Sequence, residues 1–114
     1  MKEKVGVLGG GSWGTALAIL LANKGYDVSM WLRDIELMES MNNSRINKKY
    51  LSDVILPAKI KLTSDLEEAN YKKDAIILSV GTHGIREVLS NSKPYINPNQ
   101  IIINVSRELR MILY

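Results

Sequence analysis

Lys4-Val5-Gly6-Val7-Leu8-Gly9-Gly10-Gly11-Ser12-Trp13-Gly14-Thr15-Ala16-Leu17-Ala18 reads as a strand, a tight glycine turn and the first turns of a helix. Val5, Val7 and Leu8 form the apolar, β-prone part. Gly9, Gly11 and Gly14 then fit G-x-G-x-x-G. In such a turn each glycine has a mechanical task. The first lets the chain leave the strand sharply and enter the helix. The second lets backbone approach a pyrophosphate with no Cβ in the way, and the third lets helix and strand pack closely. The amides at the helix start, and the positive end of its dipole, then face the phosphates.

A glycine-rich hairpin or an ordinary strand-to-helix turn would satisfy the bare pattern equally well. Context separates the readings: residues 27–32 form a second apolar strand at the spacing of a βαβ unit, which favours dinucleotide binding. Composition fits this. The chain has 114 residues, enough for one domain of modest core, with 46% hydrophobic and 24% charged residues. A net charge of +3, with no phenylalanine, argues against a nucleic-acid surface. The absence of cysteine excludes disulfides and thiolate chemistry. The apolar run at residues 16–22 behind Lys2 and Lys4 mimics a secretion signal. The glycine turn interrupts that order, and the run is far too short to span a membrane. It reads as a buried crossover helix of a cytoplasmic protein, apolar nearly all round and so covered on more than one side.

Taken in order, residues 1–8 predict a strand, 13–24 a helix stopped by Gly25, and 27–32 a strand. Asp34 is placed to cap a helix over 35–42. Residues 42–57 have no clean period and read as a long irregular connection. A short strand at 59–62 precedes a helix at 65–69, with Thr63 or Ser64 as its cap. The continuous apolar run at 74–80 predicts a strand covered on both faces and 100–105 another fully apolar strand, with a turn at 81–84 and a helix at 85–91 between them. The fold class is therefore α/β: a partial doubly wound parallel sheet of about five strands, in the order 3-2-1-4-5.

Several side chains carry possible chemistry. Arg33 and Asp34 follow the second strand, where an acid serves a ribose and an arginine a 2′-phosphate. Arg33 either meets the adenosine end of the cofactor or is a solvated charge. If it meets the cofactor, the site takes NADP at least as well as NAD. His83, the single histidine, follows a strand's carboxyl end. Acid–base chemistry, lining of the cleft and turn structure all remain open for it. Lys48, Lys49 and Tyr50 either edge a phosphate site or form a solvated loop. Trp13 and Trp31 read as packing residues. No metal-ligand cluster or nucleophile triad is visible in the sequence.

Together these pieces closely resemble the N-terminal domain of the NAD(P)-dependent glycerol-3-phosphate dehydrogenases. The carrying residues run from Gly9-Gly10-Gly11-Ser12-Trp13-Gly14 through Trp31-Leu32-Arg33, Asn47-Lys48-Lys49-Tyr50-Leu51, Leu56-Pro57 and Thr63-Ser64-Asp65-Leu66. Arg86-Glu87-Val88-Leu89 and Asn104-Val105-Ser106 continue them. The resemblance implies a Rossmann domain over residues 1–106 that binds NAD or NADP through Gly9, Gly11, Ser12, Trp13, Gly14, Arg33 and Tyr50. It also implies hydride exchange between NAD(P)H and dihydroxyacetone phosphate, giving sn-glycerol 3-phosphate for glycerophospholipid synthesis. The chain departs from the family's usual residues at Ser52, Gly81 and Ile85.

The larger departure follows Ser106. The family reads serine-lysine-glycine there, and its lysine contacts substrate and cofactor. This chain has Arg107 in that place, so no catalytic residue is assigned. Removing one base from the lysine codon of Ser-Lys-Gly-Ile-Glu-Asp-Asp-Thr-Leu gives Ser-Arg-Glu-Leu-Arg-Met-Ile-Leu-Tyr, the reading of residues 106–114. The expectation is an aberrant tail over 107–114 made by a frameshift, with the substrate domain absent. An uncovered fifth strand and an apolar tail should then self-associate through the C-terminal region. Three functions compete: the dehydrogenase without its catalytic half, a stand-alone dinucleotide-binding module, and a remnant that binds nothing.

Overall fold

A computed structural model describes residues 3–81 and 84–105. The readings placed on His83, on Arg107 and on the tail fall outside those residues. β1 (Lys4–Leu8) leads into α1 (Ser12–Asn23) and β2 (Asp27–Trp31). Next come α2 (Ile35–Ser44), a small hairpin of β3 (Ile46–Asn47) and β4 (Leu51–Ile55), β5 (Lys61–Thr63) and α3 (Leu66–Asn70). β6 (Ala75–Leu78), α4 (Ile85–Ser92), a 3-10 turn (Lys93–Tyr95) and β7 (Ile101–Asn104) follow.

The main sheet has the order β5-β2-β1-β6-β7, with every neighbouring pair parallel. Numbered among themselves these strands run 3-2-1-4-5, as the sequence predicts. β1 is central: Val7 sits beside Met30 on one side and Ile77 on the other.

Alternation along the strands divides the core between the two faces. Val5, Val7, Val28, Met30 and Ile77 join Ala18 and Ala22 of α1 and Met41 of α2. Leu8, Trp31, Ile76 and Leu78 pack instead with Ala69 of α3 and Val88 of α4. Each fully buried Leu or Met contributes roughly 1.5–3 kcal/mol relative to an exposed one. Helices cover the inner strands from both sides, which is why their sequences are continuously apolar. Gly6 makes the second layer fit. A Cβ built there would lie 2.2 Å from the Ala69 carbonyl oxygen.

Local chemistry sets the element ends. Gly25 ends α1 at φ +101°, and the Asp34 carboxylate caps α2 by accepting from the Leu37 amide at 3.1 Å. α1 is not covered all round, however: Leu20 is half exposed, because the helix packs on the sheet through Gly14, Thr15, Ala18 and Ala22. α2 runs to Ser44 and ends at Arg45, which takes the left-handed conformation at φ 59°. The cap of α3 is Asp65, which accepts from the Glu67 amide at 2.9 Å, rather than Thr63 or Ser64. Thr63 is still within β5, and its hydroxyl accepts from the Asp65 amide at 3.0 Å.

The stretch read as irregular contains the β3–β4 hairpin, an antiparallel pair with a shift of register between Ile46 and Asn47. Its two ends meet at Arg45. The Leu56 amide donates to the Arg45 carbonyl at 2.6 Å, and Arg45 Nη2 donates to the carbonyls of Pro57 at 2.6 Å and Ile60 at 2.8 Å.

Candidate functional site

The chain leaves β1 toward β2 on one side, while β6 lies on the other. An open α/β sheet forms its ligand crevice where strand order reverses in this way. The cleft found there has a volume of about 1140 Å³. Gly9, Gly11, Ser12, Trp13, Arg33 and Tyr50 all line it, so six of the seven residues expected from sequence come together. Gly14, the seventh, lies buried behind the wall.

The glycines divide by what their missing side chains make room for. Gly9 has φ +131°, which disfavours any other residue, and a Cβ there would lie 2.8 Å from Ser79. A Cβ on Gly14 would lie 2.3 Å from the Gly9 carbonyl oxygen and 2.4 Å from Ser79 Oγ. These two glycines serve the protein's own packing. Gly11 is different: a Cβ there would meet nothing within 4 Å, and its φ of −73° is open to any residue.

Gly11 is also the N-cap of α1 and brings no side-chain acceptor to the helix start. The first intrahelical bond near the mouth runs from the Thr15 amide to the Gly11 carbonyl at 2.9 Å. No acidic residue lies in the first turn. The amides ahead of Thr15 therefore open toward the cleft at the positive end of the helix dipole.

Three residues hold the turn, Trp31, Ser79 and Asn47. The Gly9 amide donates to the Trp31 carbonyl at 2.9 Å, and the Ser79 amide donates to that of Leu8 at 2.9 Å. Ser79 Oγ lies 3.2 Å from the carbonyl oxygens of both Leu8 and Gly9. The third residue is Asn47, fully buried in β3. Its Nδ2 donates to the Gly10 carbonyl at 2.7 Å and to Thr15 Oγ1 at 2.8 Å, while its Oδ1 accepts from the Tyr50 amide at 3.2 Å. One side chain thus ties the glycine turn, α1 and the hairpin together. Sequence reasoning gave Ser79 no part, and Asn47 only a place among the residues that carry the resemblance. The available signal for Ser79 was a hydroxyl inside an otherwise apolar strand run.

The aromatic residues also sort differently from expectation. Trp31 is a packing residue, as expected. Trp13 is not: it lines the cleft and is 65% exposed. Tyr50 is half exposed on the hairpin with the Lys49 ammonium 5.2 Å from its ring centre. Arg33 crosses from the end of β2 to α4, where Nη1 donates to Glu87 Oε1.

Residues 4–110 match the family described as NAD-dependent glycerol-3-phosphate dehydrogenase N-terminus. A glycerol-3-phosphate dehydrogenase [NAD(P)+] of Pelotomaculum thermopropionicum is 46% identical over 107 residues, 94% of this chain and 31% of the relative. That of Geobacter sulfurreducens is 39% identical over 111 residues, 97% of this chain and 33% of the relative. The crystal structure of the Coxiella burnetii glycerol-3-phosphate dehydrogenase superposes with a TM-score of 0.87 at 31% identity, covering 92% of this chain and 32% of that one. The chain thus spans about a third of the length of the relatives it matches. No helix among the described residues is long and apolar enough to cross a membrane. With a match over nearly its whole length, the chain belongs to the NAD-dependent glycerol-3-phosphate dehydrogenase family, and corresponds to that family's N-terminal part.

Proposed function

We propose that this chain binds NAD or NADP as the dinucleotide-binding part of a glycerol-3-phosphate dehydrogenase. Gly11 carries the reading. The protein's own packing asks for glycine at 9 and 14, but not at 11, where a side chain would point into open space at an uncapped helix start. A ligand whose backbone-facing group is a diphosphate accounts for that space.

The residues present fit such a ligand. The amides of Ser12, Trp13 and Gly14 receive the phosphates. Trp13 and Tyr50 flank them, and Arg33 meets the adenosine end. When bound, the nicotinamide supplies or accepts the hydride. In the complete dehydrogenase, hydride and a proton add to dihydroxyacetone phosphate to give sn-glycerol 3-phosphate, which serves glycerophospholipid synthesis in the cytoplasm. Within residues 1–106 the chain supplies a binding domain, and none of its residues is assigned to proton transfer. Self-association runs through the C-terminal region, supported by the exposed Ile101, Ile102 and Ile103 of β7.

Titration with NADH and NADPH, followed by cofactor fluorescence, tests the binding. The expected result is weak saturable binding, with no NADH oxidation on addition of dihydroxyacetone phosphate. Absence of binding by both cofactors overturns the reading. Turnover overturns the assignment of this chain as a binding part alone.

A further inference from the structure

Arg33 is held across the end of the cleft by three neighbours. Its Nη1 donates to Glu87, and its guanidinium carbon lies 5.9 Å from the Trp31 ring centre. Its Nη2 lies 2.9 Å from the place a Cβ on Gly84 would take, so the bare N-cap of α4 lets the guanidinium rest against backbone. Glu87 stands in the first turn of α4, where the helix dipole favours a carboxylate. The other carboxylate nearby, Asp34, is already used as the cap of α2.

The Arg33 and Glu87 side chains are 54% and 62% exposed, so their pairing is weak enough for a ligand to open. A 2′-phosphate carries about two negative charges and seeks the same guanidinium hydrogens that Glu87 accepts. A 2′-hydroxyl is neutral and leaves the pair intact.

We propose that Glu87 is a specificity-determining residue that acts through Arg33: by occupying the guanidinium it weakens binding of the 2′-phosphorylated dinucleotide, and so keeps the cleft open to both cofactors. This inference rests on the dinucleotide reading of the cleft. Arg33 alone would favour NADPH. Arg33 half neutralised by Glu87 discriminates little, which gives a physical reason for dual cofactor use.

The test is a titration of NADH and NADPH into the wild-type chain, Glu87→Gln, Arg33→Gln and the double variant. Glu87→Gln should tighten NADPH by about fivefold and leave NADH within about twofold. Arg33→Gln should weaken NADPH by roughly tenfold, and in its background Glu87→Gln should have no further effect. The gain in Glu87→Gln should shrink at high salt, because both groups are solvent-screened. An unchanged NADPH-to-NADH ratio in Glu87→Gln, with both cofactors still binding, overturns the role of Glu87 and leaves the dinucleotide reading standing. Failure of the wild-type chain to bind either cofactor overturns both.

Discussion

The two outer strands finish the sheet in opposite ways. β5 is three residues long, buries Leu62 and Thr63, and shows water only Lys61, whose ammonium lies 3.6 Å from Asp27 Oδ1. Short length and an edge lysine are how proteins keep an edge strand from pairing with a stranger. β7, four residues long, carries no charged side chain. Ile101, Ile102 and Ile103 are 62%, 43% and 44% exposed, so both faces of that strand present isoleucine to solvent. One border shows water a lysine and the other shows it isoleucine. The cleft gathers at the ends of β1, β2 and β6 and reaches Val105, just past the end of β7.

Substitutions on the two sides should have very different costs. Gly14→Ala, inside the finished half, forces a Cβ against the Gly9 carbonyl. It should destabilise the chain by about 3 kcal/mol or more and lower the thermal midpoint by roughly 10 °C or more. A midpoint within a degree or two of wild type would show that the turn is loose. Leu62→Ala in β5 should cost about 2–3 kcal/mol by urea unfolding, whereas Ile102→Ala in β7 should cost under about 0.5 kcal/mol. Equal losses would erase the distinction between the borders.

Asn47→Leu probes the link between the hairpin and the glycine turn. It removes the amide donor of the Gly10 carbonyl and of Thr15 Oγ1, leaving Gly10 only the longer 3.4 Å bond from Thr15 Oγ1, with an expected loss of about 1–2 kcal/mol and weaker NADH binding. Gly11→Ala should separate stability from function. It should cost under about 1 kcal/mol, as an alanine N-cap does, and reduce NADH affinity by at least about tenfold by filling the diphosphate space. Retained affinity in Gly11→Ala would remove the main support for the cofactor site. The smallest stability effect belongs to Ile103→Lys, within about 0.5 kcal/mol. Its readout is sedimentation: the wild type should associate with rising concentration, and the variant should stay monomeric.

What the sequence disclosed was local. The strand–turn–helix at Gly9–Gly14 is legible because its chemistry lies within a few residues. The Asp34 cap and the Gly25 stop are legible for the same reason. What stayed hidden depends on distant partners. Asn47 meets Gly10 and Thr15, 37 and 32 residues away, and Arg33 meets Glu87 54 residues away. β4 is largely exposed and pairs across an irregular register, so it leaves no alternating pattern to read. Thr63, Ser64 and Asp65 are all capable caps in succession. The end of β5, a tertiary fact, selects Asp65. Trp13 misleads because a large aromatic in an apolar helix ordinarily packs, whereas this one lines the cleft and stays exposed.

Because Arg45 clasps both the exit and the return of the β3–β4 excursion, that segment behaves like a clip-on part with its two leads side by side. Its tip can be lengthened, shortened or exchanged for another loop while the strands beneath keep their places. A designer wishing to retune what the cleft accepts should begin at Lys49 and Tyr50, and leave the clasp alone.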